Sequence, residues 1–263
     1  MNNKENNIMS LNNKTLVITG VASGIGAEVA RLARFQGARV IGLDRNAPAM
    51  TLDDFIQVDL SSTAQIDALV DALPSSIDGL CNIAGVPGTA PAELVGKVNY
   101  LGLRHLCQTL LPRFSPAAGI VNIASILGAE WPARLEQHKA LAATPSYAEG
   151  QAWLDANPVA QETCYQYFKE ALIVWTTQQA SPWFLEHNIR LNCVAPGPVF
   201  TPILGDFVTM LGEDRVQKDA HRMKRPAYAD EVAAVIAFLC SDAARWVCGA
   251  TIPVDGGLAA SYL

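Results

Sequence analysis

The sequence predicts an α/β fold: a doubly wound parallel sheet in a single domain. Near the amino end an apolar run, Leu16, Val17 and Ile18, leads into a glycine-rich turn and then a helix with Ile25, Val29 and Leu32 on one face. Short apolar runs then alternate with segments of helical period to the end of the chain. Several of these runs close on Gly, Asn, Asp, Ser or Pro, residue types suited to the edge of the sheet where ligands bind.

The 263 residues exceed the usual domain length of roughly 100 to 200, yet one α/β domain of this size is common. Half of them are hydrophobic, ample for a large core, and neither a repeat nor a second domain is visible. A net charge of −6 offers no basic field for nucleic acid or an anionic membrane, so small-molecule chemistry is expected. The six cysteines lack Cys-x-x-Cys pairing and read as reduced core thiols; with four scattered histidines, no metal site is expected. The longest apolar run, 232–240, is too short to span a bilayer, and the Asn-rich residues 1–13 carry no apolar run of a secretory signal. A disordered tail over 1–13 and a soluble, cytoplasmic domain over 14–263 are therefore expected.

The glycine turn runs from Thr19 through Gly20, Ser23, Gly24 and Ile25 to Gly26. Glycine is needed there twice over: the chain must turn tightly, and backbone N–H groups must approach a pyrophosphate at the positive end of the helix. Strand, turn and helix make the front of a dinucleotide-binding unit. The second strand, 39–43, ends in Asp44, eighteen residues after Gly26. A carboxylate at that point accepts hydrogen bonds from an adenosine ribose and repels a 2′-phosphate, which favours NAD over NADP. Arg45 beside it argues the other way, and Ser23 leaves the turn without a basic residue. The plainer alternative is that Asp44 opens a turn with Asn46 and Pro48.

The third strand, 55–58, is followed by Asp59 and Leu60, then by a helix with Ile66, Leu69, Val70 and Leu73 on one face. Asp59 reads equally as an acceptor for an adenine amine or as a helix cap. The strand from Leu80 is broken by Asn82 and closed by Ala84 and Gly85, suited to backbone packing against a flat ligand; a core asparagine is the alternative. In the helix expected over 91–113, Asn99 shares a stripe with Val95, Leu103, Leu106 and Leu110, so its amide faces the core and needs partners. It either ties backbone together or also holds a water. Tyr100 and Arg104 share a different face.

A strand over 119–125 ends in Ser125, either a turn residue or a hydroxyl placed at the ligand edge. Forty positions then separate Ser125 from Tyr165, too many for a tight connection, so 127–161 reads as a folded insertion with a short helix near 149–155. It would serve as pocket wall or subunit contact. In the next helix Tyr165 and Lys169 stand at i and i+4 on one face. A free phenol titrates near ~10 and is a poor base at neutral pH, and an ammonium beside it would correct that. No carboxylate stands three or four residues from Lys169 to explain it as an intrahelical ion pair.

That helix is expected to give way near Ser181 and Pro182. A strand over 189–194 ends in the stiff stretch Pro196, Gly197, Pro198, Val199, Phe200, Thr201 and Pro202, either a clamp on a ring or a plain proline turn. A lid with an apolar underside is expected over 203–225, then a buried helix over 230–240 and a last strand over 250–254.

In this order, Thr19-Gly20-x3-Gly24-Ile25-Gly26, Asp44, Asp59, Asn82-x-Ala84-Gly85, Asn99, Ser125, Tyr165-x3-Lys169 and Pro196-Gly197 resemble the short-chain dehydrogenase/reductase family over nearly the whole chain from Lys14. The long gap between Ser125 and Tyr165 resembles the subgroup that includes hydroxysteroid and coniferyl-alcohol dehydrogenases. The resemblance implies a Rossmann-like fold, NAD as cofactor, an alcohol or carbonyl substrate and a homodimer or homotetramer. It implies that Tyr165 moves the alcohol proton, Lys169 lowers the phenol's pKa and bonds the nicotinamide ribose, Ser125 holds the substrate oxygen and Asn99 anchors a water. The cofactor would lie along Gly20, Ser23, Gly24, Ile25 and Gly26, against Asp44, Asp59 and Leu60. It would continue past Asn82, Ala84 and Gly85 to Pro196, Gly197, Val199 and Thr201. Trp131, Trp153, Phe200, Phe207 and Met210 suggest a bulky apolar or aromatic substrate. The non-catalytic alternative, an NAD(H)-binding sensor, has no use for the phenol–ammonium pair, and reduction of a carbon–carbon double bond calls for a different tyrosine–lysine spacing.

Overall fold

The computed structural model describes residues 8–262. Among these, the strands are β1 (Thr15–Thr19), β2 (Arg39–Asp44), β3 (Asp54–Gln57), β4 (Ile77–Asn82), β5 (Phe114–Ile123), β6 (Arg190–Pro196) and β7 (Thr251–Val254). The helices of the first half are α1 (Gly24–Phe35), α2 (Thr63–Ala72), α3 (Ala92–Gly96), α4 (Leu103–Thr109) and α5 (Leu135–Ala142). Those of the second half are α6 (Tyr147–Ala156), α7 (Cys164–His187), α8 (Leu204–Leu211), α9 (Glu213–Met223) and α10 (Ala229–Cys240).

The strands form one parallel sheet in the order β3-β2-β1-β4-β5-β6-β7. Helical segments between the strands carry the chain back across the sheet, so each strand re-enters it in the same direction. One face packs a cluster including Val29, Ala33, Ile236 and Leu239 from α1 and α10. The other packs Ile66 and Leu69 of α2, Leu106 of α4 and Leu172 and Trp175 of α7. With both faces covered, β6 is buried along its whole length, which is why its residues do not alternate in polarity as those of a half-exposed strand would.

The strand order reverses between β1 and β4, where a crevice opens beyond the carboxyl ends. Leu16, Val17 and Ile18 stand opposite Gly79, Leu80 and Cys81. Thr19 Oγ1 accepts from the backbone N–H groups of both Ile83 and Ala84 at 2.9 Å, which pins the two strand ends together and fixes the floor of the crevice.

Four expectations change. Residues 1–7 of the expected tail lie outside the described residues, but Leu11 is fully buried and Asn13 N–H bonds to Gly37 O, so the chain is seated before β1 begins. The helix expected over 91–113 is two short α-helices joined by a π-helical turn, Lys97–Gly102. The wider turn shifts the helical phase, and the residues from Val98 to Gly102 are all buried. Helix α7 continues past Pro182 to His187, because Trp183 is buried against the core and packs edge-on to Trp175, and Asn188 closes the helix in the left-handed region. In the insertion, α6 matches the expected helix but α5 was not foreseen.

The insertion packs down on the domain through polar anchors. Fully buried Arg104 donates to the carbonyls of Leu141, Thr144 and Ser146, and Glu170 of α7 accepts from Arg134 at 3.1 Å and lies 2.8 Å from the ring of His138. Arg104, which shares a face with Tyr100, thus joins α4 to the insertion. Among the described residues no helix is long and apolar enough to cross a membrane.

Candidate active site

A long cleft runs along the carboxyl edge of the sheet. It reaches from the glycine turn to Tyr165 and Lys169, an extent that suits a dinucleotide together with a second molecule. At one end lies the turn between β1 and α1, where Gly20, Ser23, Gly24, Ile25 and Gly26 all face the cleft. A Cβ on Gly26 would stand 2.0 Å from Gly20 O, and Gly20 has φ +77°, so only glycine allows the backbone to fold this closely over the start of the helix. The result is a cradle of N–H groups at a helix amino terminus, with the geometry and partial charge to hold a pyrophosphate.

Asp44 lines the cleft at the end of β2. Its Oδ2 accepts from Ala22 N–H at 3.0 Å and its Oδ1 from Asn46 N–H at 2.9 Å, so the carboxylate both braces the glycine turn and opens the turn at Asn46. Each oxygen keeps a lone pair for a ribose hydroxyl. Asp59 and Leu60 face the same cleft. Asp59 is not the cap of α2: Ser62 is, accepting from Gln65 N–H. The Asp59 carboxylate instead accepts from the backbone and hydroxyl of Ser61. Burial works to raise its pKa, but the two Ser61 bonds and the charge of Arg45 outweigh it and hold the group below its ordinary value.

Ala84 and Gly85 form the floor, and Pro196, Gly197, Val199 and Thr201 the opposite wall. Asn82 does not reach the cleft. Its amide nitrogen turns inward, 2.9 Å from Asn122 Oδ1, and Asn122 in turn donates to Thr176. Asn82 therefore joins β4, β5 and α7 beneath the floor and has no direct hold on a cofactor. Asn99 is also withdrawn: its Oδ1 accepts from Val86 N–H at 2.8 Å and its Nδ2 donates to Val86 O at 2.9 Å. Both ends of this fully buried amide are committed to backbone, which shapes the loop after β4. A Cβ on Gly85 would lie 3.2 Å from Asn99 Oδ1 and 3.9 Å from Lys169 Nζ, so the three residues meet at one point.

The chemistry converges at the other end. The α7 helix brings Tyr165 and Lys169 to the cleft one turn apart, 8% and 4% exposed. Ser125 follows β5 in extended backbone, and its Oγ accepts from Leu127 N–H, leaving its proton free to donate. Lys169 Nζ donates to Ile123 O at 2.6 Å and lies 5.6 Å from the centre of the Tyr165 ring. Lys169 is not among the groups that shift the Tyr165 phenol in this geometry. Burial pushes Tyr165 well above the ordinary tyrosine value, and only its hydrogen bond with Ser125 works against that. Burial likewise pulls Lys169 down to about 8.

The pocket wall differs in part from the expected aromatic set. Phe207 of α8 does line it, edge-on to Tyr165 with ring centres 5.2 Å apart. Met210 packs behind, its sulfur accepting from Gly88 N–H. Trp131 and Trp153 pack into the core clusters, and Phe200 lies against Tyr228 at the surface. Val86, Val98, Ile126 and Leu127 complete the wall near Ser125. The only sequence signal for the last two was an apolar pair directly after the strand-ending serine.

A family profile described as enoyl-(acyl carrier protein) reductase matches residues 20–259. The chain is 63% identical to the coniferyl-alcohol dehydrogenase of a Pseudomonas sp. (strain HR199), over 97% of this chain and 100% of that one. It is 33% identical to the 3-alpha-hydroxysteroid dehydrogenase/carbonyl reductase of Comamonas testosteroni, over 92% of this chain and 95% of that one. Among solved structures, the 3-alpha-hydroxysteroid dehydrogenase of Pseudomonas sp. B-0831 complexed with NADH superposes with a TM-score of 0.78 at 30% identity, covering 95% of this chain and 98% of that one. With these likenesses spanning nearly its whole length, and its serine, tyrosine and lysine gathered at the end of a nucleotide-shaped cleft, the chain belongs to the short-chain dehydrogenase/reductase family of oxidoreductases.

Proposed function

We propose that the protein is an NAD-dependent alcohol dehydrogenase interconverting a bulky aromatic alcohol and its aldehyde, with coniferyl alcohol the first substrate to test. The observation that carries this reading is the placement of Ser125, Tyr165 and Lys169 in the same cleft as the glycine turn. A relative 63% identical over full length, named for coniferyl alcohol, supports the substrate. The Asp44 carboxylate at the ribose end supports NAD, since it would repel a 2′-phosphate.

The glycine turn would hold the pyrophosphate, Asp44 the adenosine ribose, and Ala84, Gly85, Pro196 and Gly197 the space for the nicotinamide. When bound, NAD⁺ supplies the hydride acceptor and a positive charge near the phenol. Ser125 donates to the carbinol oxygen and fixes its position. Tyr165 takes the carbinol proton in oxidation and returns it in reduction. Lys169 keeps its ammonium against Ile123 O, where it favours the phenolate once charge begins to form there. Because burial disfavours phenolate, oxidation should accelerate as pH rises while Lys169 remains charged. The protein is read as a cytoplasmic homo-oligomer; exposed Leu185, together with Trp246 packed edge-on to Phe184, gives an apolar patch for a second copy.

The test is a panel of coniferyl alcohol, simple aliphatic alcohols and a 3α-hydroxysteroid, each with NAD⁺ and NADP⁺. The expected result is a kcat/KM highest for coniferyl alcohol with NAD⁺. Preference for the steroid would transfer the reading to the 33% identical relative's activity, and NADH binding without turnover of any alcohol would overturn it.

A further inference from the structure

The inner face of α9 carries an anomaly. The helix is strongly polar, with Glu213, Asp214, Arg215, Lys218 and Arg222 turned outward, and its one buried residue is an acid, Asp219, 6% exposed. Asp219 and Val216, three residues apart, line the cleft that holds Tyr165 and Ser125. Removing a carboxylate from water without compensating donors is unfavourable, so a buried one normally faces a cation or several N–H groups. Asp219 has neither. Its Oδ1 accepts from the hydroxyl of Tyr262, and among the described residues its Oδ2 has no hydrogen bond or salt bridge. Arg215, Lys218 and Arg222 share the groove on its outer side, but the Arg222 guanidinium stacks on the Tyr262 ring at 4.0 Å, and among the described residues none of the three forms a salt bridge with the acid.

The remainder of the wall around Tyr165 is hydrocarbon: Val86, Ile126, Leu127, Phe207, Leu211 and Val216. A slot of this kind accepts a flat apolar body but cannot by itself orient it; a few placed polar groups do that. Ser125 and Tyr165 take the carbinol. Asp219 is the acidic group on the lid side of the same space, held in position by Tyr262.

We propose that Asp219 is a specificity residue that accepts a hydrogen bond from a hydroxyl carried by the substrate remote from its carbinol, such as the phenolic hydroxyl of a hydroxylated arylallylic alcohol. The proposal rests on the alcohol dehydrogenase reading above and adds to it which end group is recognised. Tyr262 acts through Asp219 as a positioning residue. A substrate without the remote hydroxyl leaves Asp219 Oδ2 without that donor, and is discriminated against for that reason.

The test uses two alcohols that differ in that hydroxyl alone, 4-hydroxycinnamyl alcohol and cinnamyl alcohol, with NAD⁺. The wild-type chain should prefer the hydroxylated substrate by roughly 10- to 100-fold in kcat/KM, through KM, the range of one hydrogen bond to a charged acceptor. In Asp219→Ala the ratio should fall toward one. In Asp219→Asn, which can still accept from Tyr262 and so keeps the lid anchored, it should fall part of the way. Overturning results are a wild-type ratio near one, or variants in which both substrates decline together and the ratio stands, as a merely structural Asp219 requires. Wild-type protein that oxidises neither alcohol would instead sink the functional reading itself, and this proposal with it.

Discussion

Replacing Lys169 by methionine separates what this side chain does for folding from what it does for turnover. In the folded chain the ammonium is 4% exposed and its pKa is pulled from the ordinary 10.5 to about 8, with burial the cause. That difference corresponds to about 3 kcal/mol, borne by the folded state wherever Lys169 is charged. Since the folded-state pKa lies below the unfolded one, the folded protein binds fewer protons between about 8 and 10.5. Stability from this group should therefore be lowest below pH 8 and should recover as pH rises through that window. Methionine removes the penalty but strands Ile123 O, at a cost of about 1–3 kcal/mol, so the two proteins should be of similar stability at pH 7. By pH 10 the wild type should have gained about 2 kcal/mol on the variant. Buried Cys107 and Cys193, pushed up to about 12 and about 11, lose stability with rising pH in both proteins and largely cancel in the comparison. Urea unfolding of the cofactor-free proteins at pH 7, 8, 9 and 10 reads the difference. Parallel stability curves would refute the claim that a charged lysine is held in this site against its own desolvation.

Three other substitutions probe the cleft and its supports. Gly26→Ala places a methyl where Gly20 O stands 2.0 Å away, so the turn must open and NADH affinity, read by fluorescence titration, should fall roughly tenfold or more. Asp44→Ala removes the charge that opposes a 2′-phosphate and leaves Arg45 in the cleft; the NADP⁺ to NAD⁺ ratio of kcat/KM should rise by about tenfold or more. Arg104→Met strips the carbonyls of Leu141, Thr144 and Ser146 of a buried donor, which should lower stability by about 2–4 kcal/mol and expose 135–156 to limited proteolysis.

The parts of the site that were legible in the sequence are those where one local constraint dictates the residue. The glycine turn, the acid closing β2, the serine after β5 and the phenol–ammonium spacing on α7 are each set by backbone geometry within a few residues. The parallel, doubly wound sheet followed from alternating strands and helices. What the sequence left open depended on partners elsewhere in the chain. Asn82 gives no sign of being claimed by Asn122, forty residues on, and Asn99 none that Val86 takes both ends of its amide. Helix α5 was hidden because its buried face is partly polar: His138 is inside to meet Glu170, a contact that hydrophobic periodicity does not register. The π turn at Asn99 breaks the 3.6-residue period for the same reason, since packing in three dimensions and not local preference sets it. Nothing in the sequence sets Asp219 apart from the other charged residues of 213–222; the fold alone turns it inward.

The central claim is that the Tyr165 hydroxyl carries the carbinol proton, and Tyr165→Phe tests it by deleting one oxygen from the cleft while keeping the ring against Phe207. NADH formation from coniferyl alcohol and NADH binding are measured on the same preparation. The account predicts a loss of turnover of at least about 100-fold with cofactor affinity close to that of the parent. A variant that oxidises the alcohol at near the parental rate would contradict it.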